Sequence, residues 1–141
     1  RLVRTIPTGI ASLVKVAVQN LNIQEDQARQ FILKFGLAPD RLEGQVLRAI
    51  DSTLDGFSAE LTKSVKFFQS RYTDVPVTGI LLAGYAASIP QFGDYIGSKT
   101  AIQAHIADPW QKVSVPTGDQ KLAAVAHEFA TAVGLAQRRT V

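Results

Sequence analysis

The chain has 141 residues, 46% hydrophobic and 19% charged, with a formal net charge of +3 and a pI near 9.4. That amounts to one ordinary domain or two closely packed lobes with enough apolar material for a core, and it excludes a disordered chain. The chain contains no cysteine, which excludes disulfide frameworks, thiolate metal sites and cysteine nucleophiles.

No run of about 18 consecutive apolar residues is present, so no membrane span is expected. No N-terminal segment has the parts of a signal peptide. The chain begins at Arg1 rather than Met, so it is expected to be a fragment or a processed product. The positive charge is spread out, and Arg138 and Arg139 are its one adjacent arginine pair. A nucleic-acid binder carries a concentrated basic stripe, so no nucleic-acid partner is expected.

Residues 1–6 read as a short strand in which Leu2, Arg4 and Ile6 alternate with Val3 and Thr5, and residues 7–9 as a turn. Ile10, Leu13, Val14, Ala17, Val18 and Leu21 then fall at helical spacing and form one apolar face. In "NIQED", Asn22 and Glu25 have the spacing of a capping box for a second helix. That helix has Ala28, Phe31, Ile32 and Phe35 as its inner stripe and Gly36 at its C-cap. A long stripe follows, from Leu42 through Val46, Ile50, Leu54, Phe57, Leu61, Val65 and Phe68 to Tyr72. Gly56 lies inside it, at a cost of about 1 kcal/mol against alanine, and marks a candidate kink.

Residues 80–83 predict a buried strand and residues 89–97 a short helix. Residues 103–106 predict a second strand, and residues 107–120 a loop with two prolines. A last helix is expected over 120–138, with Leu122, Val125, Phe129 and Val133 facing inward. On another side Ala126, Ala130 and Gly134 recur one turn apart, as close helix packing requires. The layout is a compact helical block inserted into a small α/β layer, with the first strand pairing with the later ones.

Catalytic constellations are sparse. His105 and His127 have no partner at metal-ligand spacing and read as packing or surface residues, and Asp51 and Asp55 share a solvated helix face at i,i+4. Ser88, in "AASIP", lacks the flanking glycines of a hydrolase elbow. No phosphate loop ending in Lys-Ser or Lys-Thr is present. These patterns assign no catalytic and no metal-binding residue. The candidate binding element is the strand-turn-helix around Gly84, because ligands of α/β layers gather at the carboxyl ends of strands and helix starts offer free N–H groups. A plain tight turn is the alternative.

Several segments together resemble a known family. "ILLAGYAASIPQF" looks like the adenosine motif of the actin-like ATPases, and "FATAVGLAQR" resembles the helix that closes that fold. "AELTKSVKFFQSR", and "RTIPTG" followed by "IQEDQARQFILKFGL", resemble the PilM family of type IV pilus assembly proteins. The resemblance covers nearly all of the chain but only the C-terminal lobe of such a protein.

It implies an α/β fold: the second lobe of an actin-like (ribonuclease H-like) ATPase, with a helical subdomain inserted into a small mixed sheet. Residues 1–8 and 76–141 would form the α/β subdomain and residues 9–75 the helical insert. The stripe of Ala126, Ala130 and Gly134 would then meet a partner helix in the first lobe.

The resemblance also implies a nucleotide cleft binding ATP with Mg²⁺ in the intact protein, with turnover slow or absent. Gly84 matches the first glycine of the adenosine motif, Tyr85 stands where a second is expected, and Ala86 where a third often occurs. A tyrosine there restricts positive φ. It either stacks on the base or fills the pocket. Glu60, Lys63 and Ser64 match the Glu, Arg and Ser of the family's long helix, with Lys63 lacking the arginine fork. The phosphate loops are expected before Arg1, so this fragment alone would bind ATP weakly or not at all.

The implied protein is cytoplasmic and peripheral to the inner membrane. Its partner would be the cytoplasmic tail of a PilN-like membrane protein, held through the first lobe, and a homo-oligomer stays open. Two alternatives remain: a degenerate interaction module without nucleotide binding, and an ATPase of a cell-division or filament-forming actin-like branch.

Overall fold

A computed structural model describes residues 2–113, 122 and 125–138. Its elements are α1 (Ile10–Leu21), α2 (Glu25–Phe35), α3 (Gln45–Arg71), β1 (Ile80–Leu82), α4 (Phe92–Thr100), β2 (Ala104–Ile106) and α5 (Ala130–Ala136). Short 3-10 turns precede α3, follow β1 and β2, and lead into α5.

α1 buries Leu13, Val14 and Ala17. It ends at Asn22, whose φ of 53° and ψ of 49° close the helix in the left-handed conformation. Asn22 therefore terminates α1 rather than starting α2. The capping box belongs to Gln24, whose main-chain N–H donates to Gln27 Oε1 at 3.3 Å. Gly36 closes α2 as expected, at φ 56°, with its N–H on the Ile32 carbonyl at 3.0 Å. A glycine is required here, because a Cβ would lie 2.4 Å from the Pro90 carbonyl.

α3 runs 27 residues without interruption, about 40 Å at 1.5 Å per residue. Leu42 stays outside it: Leu42, Glu43 and Gly44 stand at φ 46°, 54° and 69°, a left-handed turn from which the helix starts. Gly56 produces no break. The five buried residues of α3, Val46, Ala49, Ile50, Leu54 and Ser58, all lie between its start and its midpoint, and the helix packs on α1 and α4. Ile50 and Leu54 join Leu13, Val14, Ile32, Phe92 and Ile96 in one apolar core. Helical block and strand layer thus share a single interior.

Among the described residues the sheet has two parallel strands, with Ile80 opposite Ala104, Leu81 opposite His105 and Leu82 opposite Ile106. Parallel neighbours need a crossover, and α4 supplies it. The strand expected over residues 1–6 is not formed: residues 2–6 have no ladder partner among the described residues. Strand conformation depends on such a partner, and Arg4 is instead held by a side-chain ion pair to α3.

The last helix is interrupted within the described part: Leu122 is helical and Val125 stands in a turn. A 3-10 turn over Ala126–Phe129 leads into α5, and most of the expected 120–124 stretch lies outside the described residues. Phe129 rests 5.8 Å, centroid to centroid, from Trp110.

Candidate functional site

β1 delivers the chain to a bend. Ala83 is extended, Gly84 takes φ 66°, and a 3-10 turn runs Gly84–Ser88. Nothing lies within 4 Å of the place a Gly84 Cβ would occupy, so the glycine serves conformation and not space. Tyr85 is not among the residues with positive φ. The left-handed step falls one residue earlier, and the tyrosine fits without backbone strain.

Tyr85 is 54% exposed and borders a hollow of about 180 Å³. From the turn side Tyr85, Ala86, Ile89 and Phe92 line it, and from α3 Leu54 and Phe57. Thr8, Gly9, Ile10 and Leu13 close the remaining wall. The Phe57 and Phe92 rings lie 6.1 Å apart.

Glu60, Lys63 and Ser64 come together one helical turn further along α3. Glu60 Oε1 accepts from Lys63 Nζ at 2.7 Å, and Oε2 from Arg4 Nη2 at 2.6 Å. Lys63 beside it, by hydrogen bond and charge, holds the Glu60 carboxyl below its usual range, with Arg4 adding to the effect. Ser64 Oγ donates to the Glu60 carbonyl at 2.7 Å, an ordinary i−4 contact.

The two sets of expected site residues therefore border different spaces. Tyr85 and Ala86 line the apolar hollow, Ser64 lines a second one of about 300 Å³ with Leu2 and Phe68, and Glu60 and Lys63 line neither. Phe57 and Glu60 nonetheless sit at i,i+3 on α3, so the sets are neighbours on one helix face.

Two other clusters are assembled only by tertiary structure. Asp55 accepts from Lys99 at 2.6 Å and from the Tyr95 hydroxyl at 2.9 Å. These two groups lower the Asp55 carboxyl, while desolvation, then Asp55, raise the Tyr95 phenol to about 12. The second cluster joins residues read from sequence as isolated. Ser88 Oγ and His127 Nε2 lie 2.6 Å apart. The two residues are 39 positions apart in the chain, and no local pattern signals the pair.

The stripe of small residues divides: Ala126 is buried, whereas Ala130 and Gly134 border an open hollow with Leu81, His105 and Gln111. Nothing stands within 4 Å of a Cβ at Gly134. No group of three or more His, Asp or Glu suited to a metal occurs among the described residues, and no helix among them is long and apolar enough to cross a membrane.

A family model described as "Type IV pilus assembly protein PilM" matches residues 3–140. The chain belongs to the PilM family of type IV pilus assembly proteins. A solved structure described as a PilM-PilN type IV pilus biogenesis complex matches it with a TM-score of 0.71 and 20% identity, over 89% of this chain and 35% of that one. At that identity the likeness speaks to the fold: the helices and small parallel sheet are those of a PilM structure. The chain spans about a third of that relative's length. No curated protein sequence matches it.

Proposed function

We propose that this chain is an actin-like lobe of a PilM-family scaffold and contributes the adenosine side of a nucleotide cleft. Residues 1–8 and 76–141 act as its α/β part and 9–75 as its helical insert. One observation carries the reading: a hollow lined by aromatic and aliphatic side chains lies against the Gly84 turn, at the carboxyl end of a parallel strand, where α/β folds gather ligands. The residues fit the base end of ATP. Gly84 provides the bend, and Tyr85 and Phe57 provide ring faces. By the resemblance to actin-like ATPases, the phosphate loops and the Mg²⁺ they hold would be supplied by the first lobe of the intact protein. ATP there serves as a conformational ligand, with turnover slow or absent.

The test is a calorimetric titration of the full-length protein with ATP–Mg²⁺. Binding is expected, and loss on Gly84→Val with unchanged circular dichroism. No binding in the wild-type protein overturns the reading and favours an interaction module that has lost nucleotide. The tyrosine at the mouth of the hollow is the observation behind that second reading.

The protein would work at the cytoplasmic side of the inner membrane, through the tail of a PilN-like partner. The related solved structure is described as a PilM-PilN complex, which supports this partner class. The tail is expected to bind the intact protein and not residues 1–141 alone, as fluorescence anisotropy with a labelled tail peptide would read out.

A further inference from the structure

We propose that His127 is a positioning residue: through Ser88 Oγ it holds the turn Gly84–Ser88 in the form that ligand binding uses. This rests on the nucleotide reading above. Little fixes the front of the turn. Gly84 stands at φ 66° with nothing within 4 Å of the place of a Cβ, and Tyr85 is more than half exposed. Turns of the 3-10 type have poorer hydrogen-bond geometry than α-helices. The bond that closes this one, Ile89 N–H to the Ala86 carbonyl, measures 3.4 Å. A glycine in open space beside so long a bond has other conformations within reach.

The back of the turn is different. Ala87 and Ile89 are buried. Ser88 between them makes the one side-chain hydrogen bond of the turn among the described residues, to His127 Nε2 at 2.6 Å. A hydroxyl donates to one imidazole tautomer and accepts from the other, so either tautomer sustains the bond. The pair is part-buried, which strengthens it against competition from water.

The direction of control follows from what holds each partner. His127 lies in the 3-10 turn Ala126–Phe129, and that turn is fixed on several sides. Ala126 is buried, the Glu128 N–H donates to the Val125 carbonyl at 3.0 Å, and the Phe129 ring rests 5.8 Å from Trp110. Trp110 in turn donates its ring N–H to the Leu122 carbonyl at 3.3 Å. The anchored turn therefore restrains the open one. Neither Ser88 nor His127 lines the hollow, so the pair acts on ligand only through the turn.

A turn that is correctly shaped for only part of the time binds more weakly in proportion to that part. The full-length protein is titrated with ATP–Mg²⁺ as wild type, Ser88→Ala, His127→Ala, the double variant and Ser88→Thr. Amide hydrogen exchange of Gly84–Ser88 is followed without and with nucleotide. Each alanine variant should bind ATP about twofold to tenfold more weakly, the range for losing one hydrogen bond, and the double variant about as weakly as either single. Exchange of the turn should quicken in the free variants and return to the wild-type rate at saturation. Ser88→Thr keeps the hydroxyl and should keep wild-type affinity. A bond that served stability alone would lower the unfolding midpoint and leave affinity and the turn's exchange unchanged. That result overturns this inference and leaves the nucleotide reading standing, as do losses that add in the double variant. Should His127→Ala fail to fold, Ser88→Ala, which removes one hydroxyl, decides alone. A wild type that does not bind ATP overturns both.

Discussion

Ser88 Oγ lies 2.6 Å from His127 Nε2, and this bond fastens the turn after β1 to the segment that leads into α5. The pair is part-buried, so each group exchanges water for the other. Ser88→Ala and His127→Ala should each cost about 0.5–1.5 kcal/mol, the net value of one such hydrogen bond. Urea denaturation of both single variants and the double variant measures it. The double variant should be less destabilised than the sum of the singles, because each single change already removes the shared bond. A strictly additive cycle would show that the bond is absent in solution.

Gly56→Ala should stabilise the protein. The glycine is exposed within the unbroken α3, and nothing lies within 4 Å of a new Cβ. Alanine there restricts the unfolded chain and favours the helix, a gain of about 0.5–1 kcal/mol. A rise in the urea midpoint at unchanged slope is the expected readout. A fall would mean that α3 bends at residue 56 in solution.

What is legible in the amino-acid sequence follows the range of the interaction. The stripes of α1, α2 and α3 are set by local periodicity and can be read directly, as can the Gly36 stop. Asn22 cannot, because asparagine suits both an N-cap and a left-handed helix end, and only the position of Gln24 and Gln27 decides between them. The first strand fails for a different reason: alternation describes a half-buried edge but does not supply a ladder partner. At the candidate site, a glycine after an apolar run makes the Gly84 bend legible. The hollow itself needs Phe57, which α3 brings in from far upstream of Tyr85 in the chain. The Arg4–Glu60 and Ser88–His127 pairs are likewise products of the fold and leave no trace in spacing.

Two glycines with positive φ should respond unequally to alanine. Gly84, at φ 66°, has open space around it, so Gly84→Ala should incur only the left-handed backbone penalty, about 1–2 kcal/mol. Gly36, at φ 56°, would put its Cβ 2.4 Å from the Pro90 carbonyl and 2.7 Å from the Pro90 ring. That contact also carries the Leu37 N–H to Pro90 carbonyl bond of 3.1 Å, so relief of the clash disturbs the junction between α2 and the turn before α4. Gly36→Ala should therefore be clearly the more destabilising of the two by thermal or urea unfolding. Equal effects would mean that the α2–Pro90 approach is looser than the structure has it.

The Asp55–Tyr95–Lys99 cluster sets a pH dependence with a definite sign at each end. Lys99, then Tyr95, hold the Asp55 carboxyl below its ordinary 3.8. The unfolded chain therefore takes up this proton first as the pH drops. The contribution is present above the ordinary carboxyl range and is lost as pH falls through the lower folded value. Tyr95 runs the other way. Desolvation first, then its bond to Asp55, raise the phenol from 10.0 to about 12. The unfolded chain loses this proton first, so the contribution is complete below pH 10 and disappears as pH rises toward 12. Tyr95→Phe has no proton to lose and should flatten the alkaline fall while leaving most of the acid limb, which Lys99 dominates. Asp55→Asn should weaken both limbs. Chemical denaturation midpoints across the acid and alkaline ranges would check this, and an alkaline limb unchanged in Tyr95→Phe would assign it to other groups.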